Sequence, residues 1–275
     1  MAYIYHQLDR HREGIEKVKE YLERSPDKSY WYREWVELAI YAGDTVDAER
    51  AIEQALRRVD DHEERRRLLI DAASQYHYFA EDRDRAEELY RSALEVEANE
   101  AEDEALRGLG WVLLARRDYQ GAEETFRRAM MIDPDDWQPR WGVLVSLSAA
   151  RRYDDVIAAA KEMLAILDKK PGLVEKHPMY LWLYPSWVEA AILLGDETET
   201  ERAIEEGLRR CTNDRQKTRL LLQVALSYLK LGNWTKSAES LDRATELYGG
   251  VDEDDDSYEW VLAGFLHRPS RRGDA

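Results

Sequence analysis

The groups in this chain that could do chemistry near neutral pH are six histidines, one cysteine and a large stock of carboxylates. His6, His11, His62, His77, His177 and His267 are scattered, and none pairs with another histidine or a carboxylate in a recognised ligand motif. His6 and His11 are five residues apart, which takes them off a common helix face. Cys211 follows the run Leu208-Arg209-Arg210 near a predicted helix end, with neither an activating base nor a helix N-terminus beside it. It reads as an inert thiol. Adjacent acids such as Glu87-Glu88 and Glu123-Glu124 point about 100° apart on a helix and lack the apolar shielding that raises a carboxyl pKa. The acidic run after Gly250 lacks the alternating Asp/Asn, central Gly and closing Glu of a calcium loop. The chain also contains no GxxxxGK[ST], GxGxxG, GxSxG or HExxH. The expectation is a protein with no catalytic residue, no metal and no cofactor.

If the chain does no chemistry itself, its elements must serve recognition, and composition says which elements they are. Apolar residues make up 44% of the 275 and charged residues 35%, enough for a sizeable core but too interrupted for a membrane span. With only 14 Gly and 7 Pro, helix is favoured over turn-rich β structure. The N-terminal stretch lacks the apolar core of a secretory signal. A single cysteine excludes an internal disulfide and a cysteine-based zinc cluster, so the cytoplasm is the expected compartment. A net charge of −17 disfavours nucleic acid and anionic membrane as partners.

Two repeats are visible. Tyr32 to Arg58 reads YREWVELAIYAGDTVDAERAIEQALRR, and 152 residues later Tyr184 to Arg210 reads YPSWVEAAILLGDETETERAIEEGLRR. The likeness runs on through Leu68, Leu69 and Tyr76, matched by Leu220, Leu221 and Tyr228. A shorter period lies inside this duplication. Gly110, Ala122, Phe126, Ala129 and Pro134 give a small residue in mid-helix, a turn through Asp118-Tyr119, then small, aromatic and small residues on a second helix closed by proline. The same frame fits Ala48, Ile52 and Ala55; Ala86, Tyr90 and Ala93; Thr200, Ile204 and Gly207; and Ser237, Leu241 and Ala244.

This pattern resembles the tetratricopeptide repeat, over nearly the whole chain to about Gly250. The resemblance implies an all-α, right-handed α-α superhelix of about seven helix–turn–helix repeats in a single domain, with a C-terminal capping helix. The repeats fall near 1–28, 29–65, 66–102, 103–136, 137–170, 181–217 and 218–251. Residues 171–180 form an insertion loop, 256–267 the cap, and 268–275 a tail. Arg140 and Leu144 depart from the pattern, standing where apolar and small residues are expected, and Thr200 replaces Ala.

In such arrays the first helix of each pair lines a concave face. The side chains left for that face include Arg33, Glu37, Tyr41, Arg67, Ser74, His77 and Tyr78, followed by Arg107, Trp111, Trp141, Trp182 and Arg219. Trp35 and Trp187 fall instead at packing positions. Arg, Tyr and Trp dominate binding hot spots, because each offers contact area together with a donor. No inner position is Asn, so the family's clamp for C-terminal carboxylates is not implied. The sequence thus predicts a non-enzymatic interaction scaffold whose groove takes a protein or peptide with acidic or aromatic anchors. Arginines in this stripe could also pair with Glu37, Glu104 or Glu189 across adjacent helices. Alternatives are a regulatory or sensor subunit answering a peptide signal, and a homo-oligomer formed by stacking repeats. The acids are expected on the outer helices and loops, leaving the inner stripe to arginines and aromatics.

Overall fold

The computed structural model describes residues 1–170, 172 and 183–248. Trp182, the 171–180 loop apart from Gly172, the expected cap and the tail lie outside the described residues. Among the described residues there are fourteen α-helices and no strand. They are α1 (Ala2–Gln7), α2 (His11–Arg24), α3 (Ser29–Tyr41), α4 (Thr45–Arg58), α5 (His62–Tyr78), α6 (Arg83–Glu95) and α7 (Glu102–Ala115). The rest are α8 (Tyr119–Ile132), α9 (Trp137–Ala149), α10 (Tyr153–Lys169), α11 (Leu183–Leu194), α12 (Glu197–Arg210), α13 (Asp214–Lys230) and α14 (Trp234–Tyr248). The architecture is all-α, built of helical hairpins as the repeat frame requires.

A recurring two-residue device makes the hairpins. Asp44, Asp82, Asp118, Asp196 and Asn233 each accept a hydrogen bond at 2.9–3.1 Å from the backbone N–H three residues on. These side chains cap α4, α6, α8, α12 and α14, whose first-turn donors lack partners within the helix. The residue before each cap is left-handed: Gly43, Glu81, Arg117, Gly195 and Gly232 have φ of 72°, 54°, 67°, 72° and 75°. That conformation reverses the chain at once. At the turn between α9 and α10 Arg151 is also left-handed (φ 59°), and Arg152 reaches Asp155 at 2.6 Å in place of a side-chain cap.

The small–large–small frame of the second helices is the core. Ala48, Ile52, Ala55, Ala86, Tyr90, Ala93, Ala122, Phe126, Ala129, Thr200, Ile204, Ser237, Leu241 and Ala244 are all buried. The small residues let paired helices approach, and the large one fills the space between them. The unexpected residues are accommodated too. Leu144 is fully buried, while Gly142, two residues earlier, supplies the close approach to Phe126. Arg140 is buried and donates through Nη2 to the Pro134 carbonyl. Thr200 is buried and returns its hydroxyl to the Asp196 carbonyl at 2.7 Å.

The chain divides into two compact units, Met1–Ser146 and the residues from Leu147 onward, with the division inside α9. The second unit repeats α2 to α6 of the first as α10 to α14. α4 and α5 recur as α12 and α13 with identical bounds 152 residues on. The start of α2 recurs as that of α10 at an offset of 142, and the ten residues 171–180 make up the difference. The insertion therefore stands between α10 and α11, inside the second copy. Each unit also builds the same buried cluster. In the first, the Trp35 indole donates to Asp47 at 2.7 Å, Lys19 lies 4.7 Å over the ring, and Arg50 approaches Asp47 at 3.7 Å. In the second, Trp187 donates to Glu199 at 2.9 Å, beneath Lys161 at 5.6 Å and beside Arg202 at 4.0 Å. Both indoles are core, as their packing positions imply.

Candidate functional site: the first-helix face

Within the first unit α3 packs on α5 and α5 on α7, so their side chains share a face, and α11 packs on α13 in the same way in the second unit. Between α3 and α5, the Arg33 guanidinium donates to Asp71 at 3.1 Å. These two residues, with Glu37, Ser74, Gln75 and three apolar side chains, line a cavity of about 240 Å³. Burial pushes the Asp71 carboxyl above its ordinary range, against the pull of Arg33. Burial likewise raises Glu37, which accepts from the Tyr41 hydroxyl. Two polar atoms at this cavity, Arg33 Nε and Gln75 Oε1, are buried and have no hydrogen-bond partner among the described residues.

Tyr41 closes the end of this region. Its ring lies 4.1 Å from that of His6, tilted by 32°, and meets Phe79 edge-on at 5.1 Å. Burial, with Glu37 adding to it, pushes its hydroxyl up to about 12. His6 and His11 do come together, with Nδ1 and Nε2 at 3.0 Å, contrary to the expectation from their spacing. That expectation assumed one helix. Asp9 is left-handed (φ 52°) and separates α1 from α2, folding His6 back on His11. Tyr78 is exposed, with the His77 ring 4.5 Å away.

Arg67 pairs with Glu100 in the loop between α6 and α7. Its neighbour Arg66, which the sequence did not single out, fixes that loop. It is 3% exposed and donates to the carbonyls of Ala93, Val96, Ala98 and Glu100. The available signal was a basic residue at a core-facing position of the helix.

At the α7–α9 end, Arg107 donates to Gln138 at 2.7 Å and lies 3.3 Å from Asp136 and 3.6 Å from Asp103. Beside it Trp111 meets Phe126 edge-on at 5.0 Å and Trp141 at 5.1 Å, and Trp137 lies 6.1 Å from Trp141. All three indoles are half-buried. Trp137 was not expected here, although its four-residue spacing from Trp141 was the signal for a shared helix face. In the second unit Arg219 is exposed, and Lys230 pairs with Glu189 at 3.5 Å.

The face is therefore not a bare cationic stripe. Arg33, Arg67 and Arg107 each hold a carboxylate, from Asp71, Glu100, Asp103 and Asp136 rather than from Glu37, Glu104 or Glu189. Burial pushes the half-buried Cys211 thiol up to about 11, away from the thiolate that nucleophilic chemistry needs. Among the described residues no group of three His, Cys, Asp or Glu is placed to hold a metal, and no helix is long and apolar enough to cross a membrane.

Residues 72–136 match the family model described as tetratricopeptide repeat. No curated protein matches the chain significantly. Among solved structures, it is similar to the C-terminal part of a tetratricopeptide repeat-containing protein from Cytophaga hutchinsonii. The identity is 12%, over 96% of this chain and 97% of that one, with a TM-score of 0.57. It is also similar to YrrB, a tetratricopeptide protein with an unusual peptide-binding site, at 14% identity over 74% of this chain and 96% of that one, TM-score 0.50. A third similarity is to the APC/C hetero-tetramer Cut9–Hcn1, at 15% identity over 95% of this chain and 47% of that one, TM-score 0.50. These likenesses carry the fold. Residues 72–136 thus match the tetratricopeptide repeat, and helical hairpins of the same kind continue on either side of them.

Proposed function

We propose that the chain is a non-enzymatic interaction scaffold, acting in the cytoplasm, that binds a peptide or partner subunit along a concave first-helix face. Arg33, Tyr41, Arg67, Tyr78, Arg107, Trp111 and Trp141 line that face in the first unit. Arg219 in the second unit and Trp182, outside the described residues, occupy further first-helix positions. The observation that carries the reading is the half-buried Trp111–Trp141–Trp137 group beside Arg107. Indoles that are packed yet not enclosed leave ring surface for a partner, and Arg107 sits next to them already oriented by its acids. Aromatic anchors fit this arrangement better than acidic ones, because an incoming carboxylate would have to compete with Asp103 and Asp136 for Arg107. YrrB, with its peptide-binding site, and Cut9–Hcn1, a hetero-tetramer, use similar folds for such work.

Affinity capture from the native source tests the reading. The double variant Trp111→Ala, Trp141→Ala is expected to weaken partner binding by at least about thirtyfold, the loss of one hot spot. Trp111 also supports Phe126, so the variant will melt lower, and a destabilised control is needed. Trp187→Phe, in the core of the second unit, serves as that control and should retain the partner. Undiminished capture by the double variant would remove the proposed site.

A further inference from the structure

The first unit carries polar groups at its α3–α5 cavity that the same scaffold does without in its second copy. Val36 and Leu68 at this cavity recur as Val188 and Leu220, all four buried, so the apolar frame is kept. The polar set is not. Pro185 stands where the first copy has Arg33, Gln223 replaces Asp71, Leu226 replaces Ser74 and Ser227 replaces Gln75, while Glu189 alone repeats Glu37. α11 and α13 pack together without those groups. Folding therefore does not account for the half-buried Arg33–Asp71 pair or for Gln75.

The cavity also holds an incomplete set of hydrogen bonds. Arg33 Nε is a donor without an acceptor, and Gln75 Oε1 an acceptor without a donor, both buried among the described residues. Such atoms cost stability unless something satisfies them. Each simple ligand group meets the cavity differently. A carboxylate has only acceptors and would lie against Glu37 and Asp71. An ammonium has only donors and leaves Arg33 Nε unmet. A primary carboxamide has a carbonyl for Arg33 and an N–H for Gln75 on one small planar group.

We propose that this cavity is a specificity subsite for a side-chain carboxamide, Asn or Gln, of the peptide bound on the first-helix face. The proposal rests on the groove reading above. It makes the first unit selective for a feature that the second unit does not read.

The test uses the full chain and propionamide as probe, with propionate and n-propylammonium as comparisons, followed in ¹H–¹⁵N NMR spectra. Propionamide should shift the Arg33 Nε–Hε and Gln75 side-chain signals saturably, with a millimolar Kd as befits so small a ligand. The two ions should bind at least about fivefold more weakly, the worth of one hydrogen bond. Gln75→Ser, which installs the residue of the second copy, should weaken propionamide binding by a similar factor and leave the remaining spectrum in place. Absence of any saturable shift at Arg33, meaning a hydrated cavity only, overturns the proposal. So does a preference for n-propylammonium, which would make this a cation subsite built on Glu37 and Asp71. The probe is independent of the natural partner. Failure here leaves the capture experiment on Trp111 and Trp141 standing, and failure there leaves the propionamide result standing.

Discussion

Phe126 shows how closely single residues are fitted in this array. Gly110 of its own hairpin and Gly142 of the next both face its ring, and a Cβ on either would come within 2.6 Å of it. Gly142→Ala is therefore expected to destabilise the protein by about 1–3 kcal/mol, the cost of overpacking a filled core, seen as a lower urea midpoint. No change in midpoint would mean that the ring has room to move. Cys211 sits at the opposite extreme of accessibility to chemistry. With its thiol near 11, far fewer molecules carry thiolate at pH 8 than for an ordinary cysteine near 8.5, by roughly a hundredfold. Its alkylation by iodoacetamide in the folded protein should be slower than in urea by about that factor, and equal rates would contradict the burial. Both positions were legible in the sequence, Phe126 from the small–large–small spacing and Cys211 from its lack of an activating neighbour. Arg66 was not. Its worth comes from four carbonyls, one near the end of α6 and three in the loop after it, about thirty residues on, and nothing in local spacing announces where a loop will fold back.

At the scale of elements, the hairpin turns place a left-handed residue before a capping Asp or Asn, except at Arg151-Arg152, where the side-chain cap is absent. Three of these turns use glycine, which takes the conformation at no steric cost, but Glu81, Arg117 and Arg151 do not. Arg117→Gly should therefore stabilise the protein by about 0.5–1 kcal/mol, measured as a rise in Tm, because relief of backbone strain outweighs the entropy glycine adds to the unfolded chain. A fall in Tm would show that the arginine side chain contributes more than its backbone costs. The caps were readable in advance, since GD and RD before an amphipathic run mark a helix start. The face presented by the first helices was readable only in part. That arginines there could pair with acids of adjacent helices was foreseen, but the acids that hold them are Asp71, Glu100 and Asp136 rather than Glu37, Glu104 or Glu189. Helical periodicity shows which side a residue takes, not what arrives opposite it. The same limit explains His6 and His11. Their contact depends on a two-helix break at Asp9 that no glycine or proline marks.

For the whole molecule, the net charge of −17 and the self-similarity at 152 residues are complementary facts. Duplication preserved what packs: the turns, the small–large–small cores, and a Lys–Trp–carboxylate–Arg cluster in each unit. It did not preserve the first-helix face, where Tyr41 is answered by Leu193, Tyr78 by Lys230 and Arg33 by Pro185. A scaffold held constant while its presented face changes is what recognition by that face requires. Site-directed photo-crosslinking tests this most directly. Benzoylphenylalanine would be placed singly at Tyr30, Arg67 and Tyr78 on the first helices, and at Glu53, Arg91 and Arg128 on the second helices, all of them exposed. After irradiation in extract of the native source, the account predicts a protein or peptide adduct of one mass from the first-helix positions and none from the second-helix positions. The reverse pattern, adducts from α4, α6 and α8 with none from α3 and α5, would contradict it.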